Sequence, residues 1–315
     1  MKFFLVFFLA LVCLFGCSHS SHRRTSSWFE KNDKIKVLST TAMIDDLARE
    51  IGGEYIDHLA LIVGEVDPHS YELVKGDDEK ITFAHIVIGN GLNLEHGASL
   101  RYQLKQHRHV VYLGEEIQKR VPQNILTVDE ALDPHVWMDI SLWAEGIDPI
   151  VAALSLEDPT HAEHYLRNGE VLRQKMLQAH CEIQQEMSEV PATKRYLVTS
   201  HDAFHYFTRA YLKEESTWED RCIAPEGLAP EGQLSCQDIQ RVVDHLCQHK
   251  IAVVFPESNV SRDALKKITS SCTHQVRICT SPLYGDAMGM PGSGADNYLG
   301  MIRHNAKVLR EEWKK

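Results

Sequence analysis

The feature that most limits the fold of this chain is its alternation of short, apolar, β-branched runs with longer stretches of helical periodicity. Ile35–Ser39 reads as a strand and Met43–Gly52 as the helix after it, and His58–Val63, Ile86–Gly89 and Val110–Leu113 read as further strands. The pattern returns in the second half: strand Arg195–Thr199, helix Ala203–Leu212, helix Ser235–Lys250, strand Ile251–Phe255, helix Ser261–Thr273, strand Val276–Thr280 and terminal helix Asn297–Trp313. Strands that alternate with helices imply parallel βαβ sheets. From Asp158-Pro159 to about Glu189 the helical pattern runs on with no strand, and proline suits a first helical turn. About 30 helical residues would span about 45 Å at 1.5 Å per residue. The expectation is an α/β protein with two parallel-sheet lobes, residues 35–157 and 191–315, joined by one long rigid helix over 158–190. A helical hairpin broken near Asn168-Gly169 is the alternative.

The beginning of the chain predicts export. Met1-Lys2 is followed by an apolar run from Phe3 to Phe15 and then by Gly16-Cys17. The run is too short for a membrane-spanning helix of about 20 residues and has the layout of a signal peptide, residues 1–16. Leu14-Phe15-Gly16-Cys17 resembles a bacterial lipobox, in which the cysteine becomes the first mature residue and carries lipid. Residues 17–34 are rich in Ser, His, Arg and Lys without periodicity and read as a lipidated flexible tether. Six cysteines remain beyond it: Cys181, Cys222, Cys236, Cys247, Cys272 and Cys279. None forms a C-x-x-C, which argues against a zinc ribbon or a thioredoxin-type centre. An exported protein can oxidise such thiols, so one disulfide in the C-terminal half is expected, with no pairing specified.

The net charge of −11 argues against a nucleic-acid partner. The count of eighteen histidines is high, but they form no tract. Three of them stand out. Asp67-Pro68-His69, Asp133-Pro134-His135 and Ser200-His201-Asp202 each place a histidine at or shortly after a predicted strand exit, and Asp286 follows in Leu283-Tyr284-Gly285-Asp286. The separations of 66, 66 and 85 residues are too long for a zinc finger, whose ligands come in tight local pairs. They suit four strand–loop–helix units converging on one cleft, where open α/β sheets bind their ligands. Proline fixes its own φ and extends the residue before it, so each Asp-Pro-His aims its histidine. The aspartate can accept a hydrogen bond and hold the loop. Three neutral imidazoles and one carboxylate make a site for a divalent first-row metal.

Several other groups carry less. Gly292-Ser293-Gly294 lacks a phosphate-loop pattern and reads as a turn. His205 shares a helix face with His201 but reads as packing. Glu226 and Glu257 sit on C-terminal loops as candidate supporting or ion-pair groups.

Taken in order, Asp67-Pro68-His69-Ser70-Tyr71-Glu72, Asn90-Gly91-Leu92-Asn93-Leu94-Glu95, Asp133-Pro134-His135-Val136-Trp137-Met138-Asp139, Ser200-His201-Asp202-Ala203-Phe204 and Leu283-Tyr284-Gly285-Asp286 resemble the TroA-like, or cluster 9, metal-binding proteins of zinc, manganese and iron ABC importers. The resemblance covers nearly the whole mature chain. It implies two α/β lobes on a long helix and one divalent ion (Zn²⁺, Mn²⁺ or Fe²⁺) as transported ligand. It also implies His69, His135, His201 and Asp286 as the metal ligands. The implied setting is a monomeric lipoprotein in the periplasm or at the cell surface, serving an ABC permease and its ATPase and acting as no enzyme.

Two departures bear on the metal. Zinc-dedicated relatives often carry a His/Asp-rich loop between the first two ligands, whereas Tyr112 to Leu132 contains no histidine. Manganese-dedicated relatives commonly have Glu where this chain has His201. Intrinsic affinity at a His₃Asp site favours zinc over iron and manganese. Two other functions compete with transport. A secreted zinc hydrolase would need an open metal position and a base, for which Asp286 or Glu72 would serve. A surface adhesin would use the lipid anchor for display.

Overall fold

The computed structural model describes residues 28–214, 217–230 and 234–315. The signal peptide and Cys17 lie outside the described residues, as does most of the tether. The N-terminal lobe opens with β1 (Ile35–Ser39), α1 (Ala42–Gly52), β2 (Ile56–Ala60), α2 (Asp77–Phe83), β3 (Ile86–Gly89), α3 (Ala98–Gln106), β4 (Val110–Tyr112) and α4 (Leu113–Arg120). The four strands form one parallel sheet in the order β2-β1-β3-β4. Alternation along the strands explains why both faces are covered. Ile35 and Val37, with Ile86 and Ile88, belong to the large core that runs through the molecule, whereas Leu38 and Val87 point into a smaller core with Leu61, Ile81, Leu100 and Leu104.

The sequence reading did not include the next elements. A hairpin of β5 (Thr127–Val128) and β6 (Ala131–Leu132) is antiparallel and turns through Asp129 and Glu130, both at positive φ. Helices α5 (Ile140–Trp143) and α6 (Ile147–Glu157) follow.

The connecting helix α7 (Ala162–Ser188) is one continuous helix of 27 residues, preceded by a single 3₁₀ turn at Pro159–His161. The hairpin alternative at Asn168-Gly169 does not occur. Its length of about 40 Å follows from 1.5 Å per residue. Tyr165, Gly169, Leu172, Met176, Ala179, Ile183 and Met187 are its buried residues, spaced three or four apart along one stripe. That stripe packs on α1, α5 and α6 in the first lobe. In the second lobe it meets α8 (His205–Tyr211) and α11 (Tyr298–Trp313). Gly169 permits the close crossing with α6. A Cβ there would come within 2.9 Å of Val151 Cγ2 and 3.0 Å of Ile147 Cγ2.

The C-terminal lobe is less regular. Its strands β7 (Leu197–Val198), β8 (Cys222–Ile223), β9 (Val253–Val254) and β10 (Arg277–Ile278) have only two residues each, shorter than their apolar runs suggest. β7 pairs with β8 and β9 with β10, both in parallel, and the Phe255 N–H donates to the Val198 carbonyl at 2.8 Å to link the pairs. Helices α9 (Cys236–Gln248) and α10 (Asp263–Ser271) pack together over Val198, Val254 and Ile251. Ser235 caps α9 through a reciprocal capping box with Asp238. The expected disulfide is not formed: all six cysteines are free, with Cys222 and Cys279 buried as small apolar groups in the core. Gly292 and Gly294 are turn residues at φ 82° and 80°, as their sequence suggests.

Candidate metal centre

Each of the four candidate residues is delivered by a loop whose geometry is set nearby. His69 lies in the long connection between β2 and α2, nine residues beyond the strand rather than at its exit. Its backbone N–H donates to Asp67 Oδ1 at 2.9 Å, and Ser70 Oγ donates to Asp67 Oδ2 at 2.7 Å. His135 follows the β5–β6 hairpin, not a strand of the main sheet, and opens a 3₁₀ turn. Its N–H also donates to the aspartate two residues before it, Asp133 Oδ1, at 3.0 Å. The two Asp-Pro-His segments therefore share one local device, with the aspartate folding the turn under its histidine.

In the second lobe, His201 leaves β7. Glu257 Oε1 accepts from the backbone N–H groups of both Ser200 and His201, at 3.0 and 2.9 Å. Asp286 lies beyond β10 on a segment held parallel to the loop after β9 through Glu257 and Leu283. Asn305, buried on α11, clamps this segment by accepting from Tyr284 N at 2.9 Å and donating to Tyr284 O at 2.8 Å.

All four side chains are buried, and their donor atoms all lie within 4.8 Å of one another. His69 Nε2 and His135 Nε2 face each other at 3.2 Å. Asp286 Oδ2 is 3.6 Å from His69 Nε2 and 3.1 Å from His201 Nε2, and Asp286 Oδ1 is 3.4 Å from His135 Nε2. A tetrahedral zinc with bonds of about 2.0–2.1 Å separates its ligand atoms by about 3.3–3.4 Å. Neither Asp286 oxygen nor His201 Nε2 has an aligned hydrogen-bond partner, whereas His201 Nδ1 lies against Glu257. Buried polar atoms left without partners are costly. A cation among the four would satisfy the Asp286 oxygens and the imidazole nitrogens that face them.

The surrounding carboxylates set the charge state. Burial alone would push His135 down, but Asp133, whose Oδ1 is 2.7 Å from His135 Nδ1, and Asp286 outweigh it and hold the imidazole up at about 9. Burial likewise opposes charge on His201, yet Glu257 (Oε2 at 2.8 Å from Nδ1) and Asp286 hold it well above an ordinary histidine. Burial raises Asp286, but His201 and then His135 and His69 more than offset this and hold it well below the ordinary carboxylate range. The surrounding carboxylates therefore favour the protonated imidazoles of His135 and His201. Carboxylates on the remote ring nitrogens also orient the rings and raise their basicity.

Glu257, one of two glutamates singled out from sequence, belongs to this shell. Glu226 meets His201 through a backbone bridge, and burial raises its carboxyl above the ordinary range against the opposing His201 charge. His205 does more than pack: its Nδ1 is 3.1 Å from Asp133 Oδ2, so one aspartate of the first lobe joins His135 to a helix of the second. Glu72 is absent from the site. It accepts from the N–H groups of Ala98 and Ser99 at 2.6 and 2.8 Å, which caps α3.

The motifs Asn90–Glu95 and Asp133–Asp139 were visible in the sequence, but the supporting roles of their residues were not. Asn90 donates to the Pro134 carbonyl at 3.0 Å, and Glu95 accepts from Asn90 N, Gly91 N and Thr40 Oγ1 at 2.6, 3.0 and 2.7 Å. The Asn90–Glu95 loop therefore fixes the second Asp-Pro-His. Leu92 and Asn93, at φ 51° and 65°, give it its shape, and the Asn-Gly pair after a strand was the available signal. The Trp137 indole N–H donates to the Gly285 carbonyl at 2.8 Å and the Tyr298 hydroxyl to the Trp137 carbonyl at 2.7 Å, which ties the two lobes beside Asp286.

The family described as Zinc-uptake complex component A periplasmic (ZnuA) matches residues 37–312. The chain belongs to this family. The resemblance drawn from the motifs therefore holds. The metal-binding protein YtgA of Chlamydia muridarum is 37% identical over 313 residues, covering 96% of this chain and 93% of that protein. The manganese-binding lipoprotein MntA of Bacillus subtilis is 30% identical over 316 residues, covering 97% of this chain and 96% of its own length. Among solved structures, Fe(III)-bound YtgA from Chlamydia trachomatis superposes with a TM-score of 0.84 at 38% identity, over 89% of this chain and 98% of that one. The two-lobed α/β architecture on a long helix is thus that of the ZnuA family.

Proposed function

We propose that this protein is the extracytoplasmic binding component of an ABC metal importer, and that it captures one divalent transition-metal ion with His69, His135, His201 and Asp286. The observation that carries the reading is the convergence of these four buried donors within 4.8 Å of one another, with four of their pairs at 3.1 to 3.6 Å, two residues coming from each side of the long helix. Membership in the zinc-uptake family and likeness to iron- and manganese-named relatives support a transported metal as the ligand. Residues 35–157 and 191–315 act as the two jaws and 158–190 as their rigid link. Four protein donors fill a tetrahedral coordination shell, and a filled shell binds rather than catalyses. Zinc is the ion that the donor set holds most tightly, and Fe²⁺ and Mn²⁺ are weaker competitors. The protein works as a monomer, held to the membrane through lipid on Cys17, and hands its metal to a permease driven by an ATPase.

The test is a competition titration of zinc, iron(II) and manganese(II) on wild type and Asp286→Ala. One tight site per chain, weakened by more than the about 10–100-fold typical of supporting residues, is expected. Unchanged affinity in a folded Asp286→Ala protein would refute the ligand assignment. A tight site that accepts none of the three metals would refute the transport reading.

A further inference from the structure

A second group of metal-type donors lies wholly within the C-terminal lobe. His245 and His249 are four residues apart at the end of α9, the spacing that puts two side chains on one helix face. Their rings are 4.5 Å apart. Asp220, in the turn Glu219–Arg221 that leads into β8, reaches over this face. Its Oδ2 is 3.1 Å from His249 Nε2 and its Oδ1 is 3.7 Å from His245 Nδ1. The donor atoms of the three residues lie within 4.8 Å of one another.

Three observations distinguish this group from a chance surface cluster. His245 is nine-tenths buried, and the His249 Nε2 that faces Asp220 is itself buried without an aligned hydrogen-bond partner. Imidazoles left in that state are unusual unless a cation or a water completes them. The His249 ring is also held in place, stacked on Tyr196 with centroids 4.2 Å apart and planes inclined by 25°. Arg241, which borders His245, donates to the Ala224 carbonyl at 2.9 Å.

We propose that Asp220, His245 and His249 form a second divalent-metal site, selective for zinc among the first-row ions carried by this family. Two imidazoles and one carboxylate supply three of the four positions of tetrahedral zinc. The Asp220 side chain is 65% exposed, so water takes the fourth position and the ion exchanges directly with solvent. The segment His245-Leu246-Cys247-Gln248-His249 has the histidine spacing of a zinc protease helix but lacks its glutamate, so the site binds without hydrolysing. Its residues are separate from those of the cleft and give the second lobe a place to hold a cation at its surface.

The experiment is a zinc titration of the full mature protein against a chromophoric chelator, with circular dichroism to verify folding. Wild type is expected to bind a tighter and a weaker zinc. His249→Gln and Asp220→Asn should each weaken the second zinc by at least about tenfold while leaving the tighter one unchanged. Asp220 is exposed enough that its substitution does not disturb the core. The proposal is overturned if wild type binds a single zinc, or if the weaker zinc persists with unchanged affinity in both variants.

Discussion

The two lobes reach the same site by different means. The first has a full parallel sheet with strands up to five residues long, yet it offers His69 and His135 from irregular loops. There the order comes from aspartates that fold their own turns, Asp67 under His69 and Asp133 under His135. The second lobe has two-residue strands and weaker sheet order. It compensates with Glu257, a fully buried carboxylate that ties the Ser200-His201 backbone and the His201 ring at once, and with Asn305, which clamps the approach to Asp286. Precision at the site therefore follows from buried hydrogen-bonded side chains, not from the regularity of the sheet beneath.

The largest expected effect concerns protons, and it treats the lobes alike. Each lobe supplies one imidazole with a raised pKa, His135 at about 9 and His201 well above 6.5. A metal must displace both protons. Log affinity should therefore rise by about two units per pH unit across neutral pH, with about two protons released per ion. Calorimetry in buffers of different ionisation enthalpy measures this, and a slope near one would mean that a single lobe carries the proton. The same shifts govern metal-free stability. Groups with raised folded-state pKa stabilise the fold fully below their unfolded value of about 6.5 and lose that contribution as pH climbs through about 9. The melting temperature of the metal-free protein should accordingly fall between those values.

A mid-sized effect separates the lobes. Glu257→Gln removes charge from a residue that holds both backbone and ring, and should weaken metal binding by about 10–100-fold. Asp67→Asn disturbs only a turn and should cost less than about tenfold. Equal losses in chelator competition would erase the distinction drawn between them. The smallest effect on binding is expected at the spine. Gly169→Leu forces apart α6 and α7 and should cost about 1–3 kcal/mol of stability by denaturant melting while metal affinity stays within error.

Much of this was legible in the sequence because the signals are local. The stripe from Tyr165 to Met187 repeats at helical period, the apolar runs announce the four-stranded sheet, and the doubled Asp-Pro-His marks two of the four converging residues. What was missed depends on distant partners or on blurred periods. Helix α6 carries Pro149 and an apolar run, Ile150–Leu154, broken by no polar residue, which hides its face. Asn90 acts through the Pro134 carbonyl, 44 residues away, and His205 through Asp133, 72 residues away. The C-terminal strands were read too long because burial extends past the residues that pair. The His245/His249 spacing is visible in a helix, but Asp220 joins it only once the lobe is folded.

The central claim is that one metal is held between the lobes by three imidazoles and one carboxylate. Anomalous diffraction from crystals loaded with one equivalent of zinc tests it most directly. A single dominant peak within about 2.0–2.2 Å of His69 Nε2, His135 Nε2, His201 Nε2 and an Asp286 oxygen is predicted. A dominant peak elsewhere, or one bound by residues of a single lobe, would contradict it.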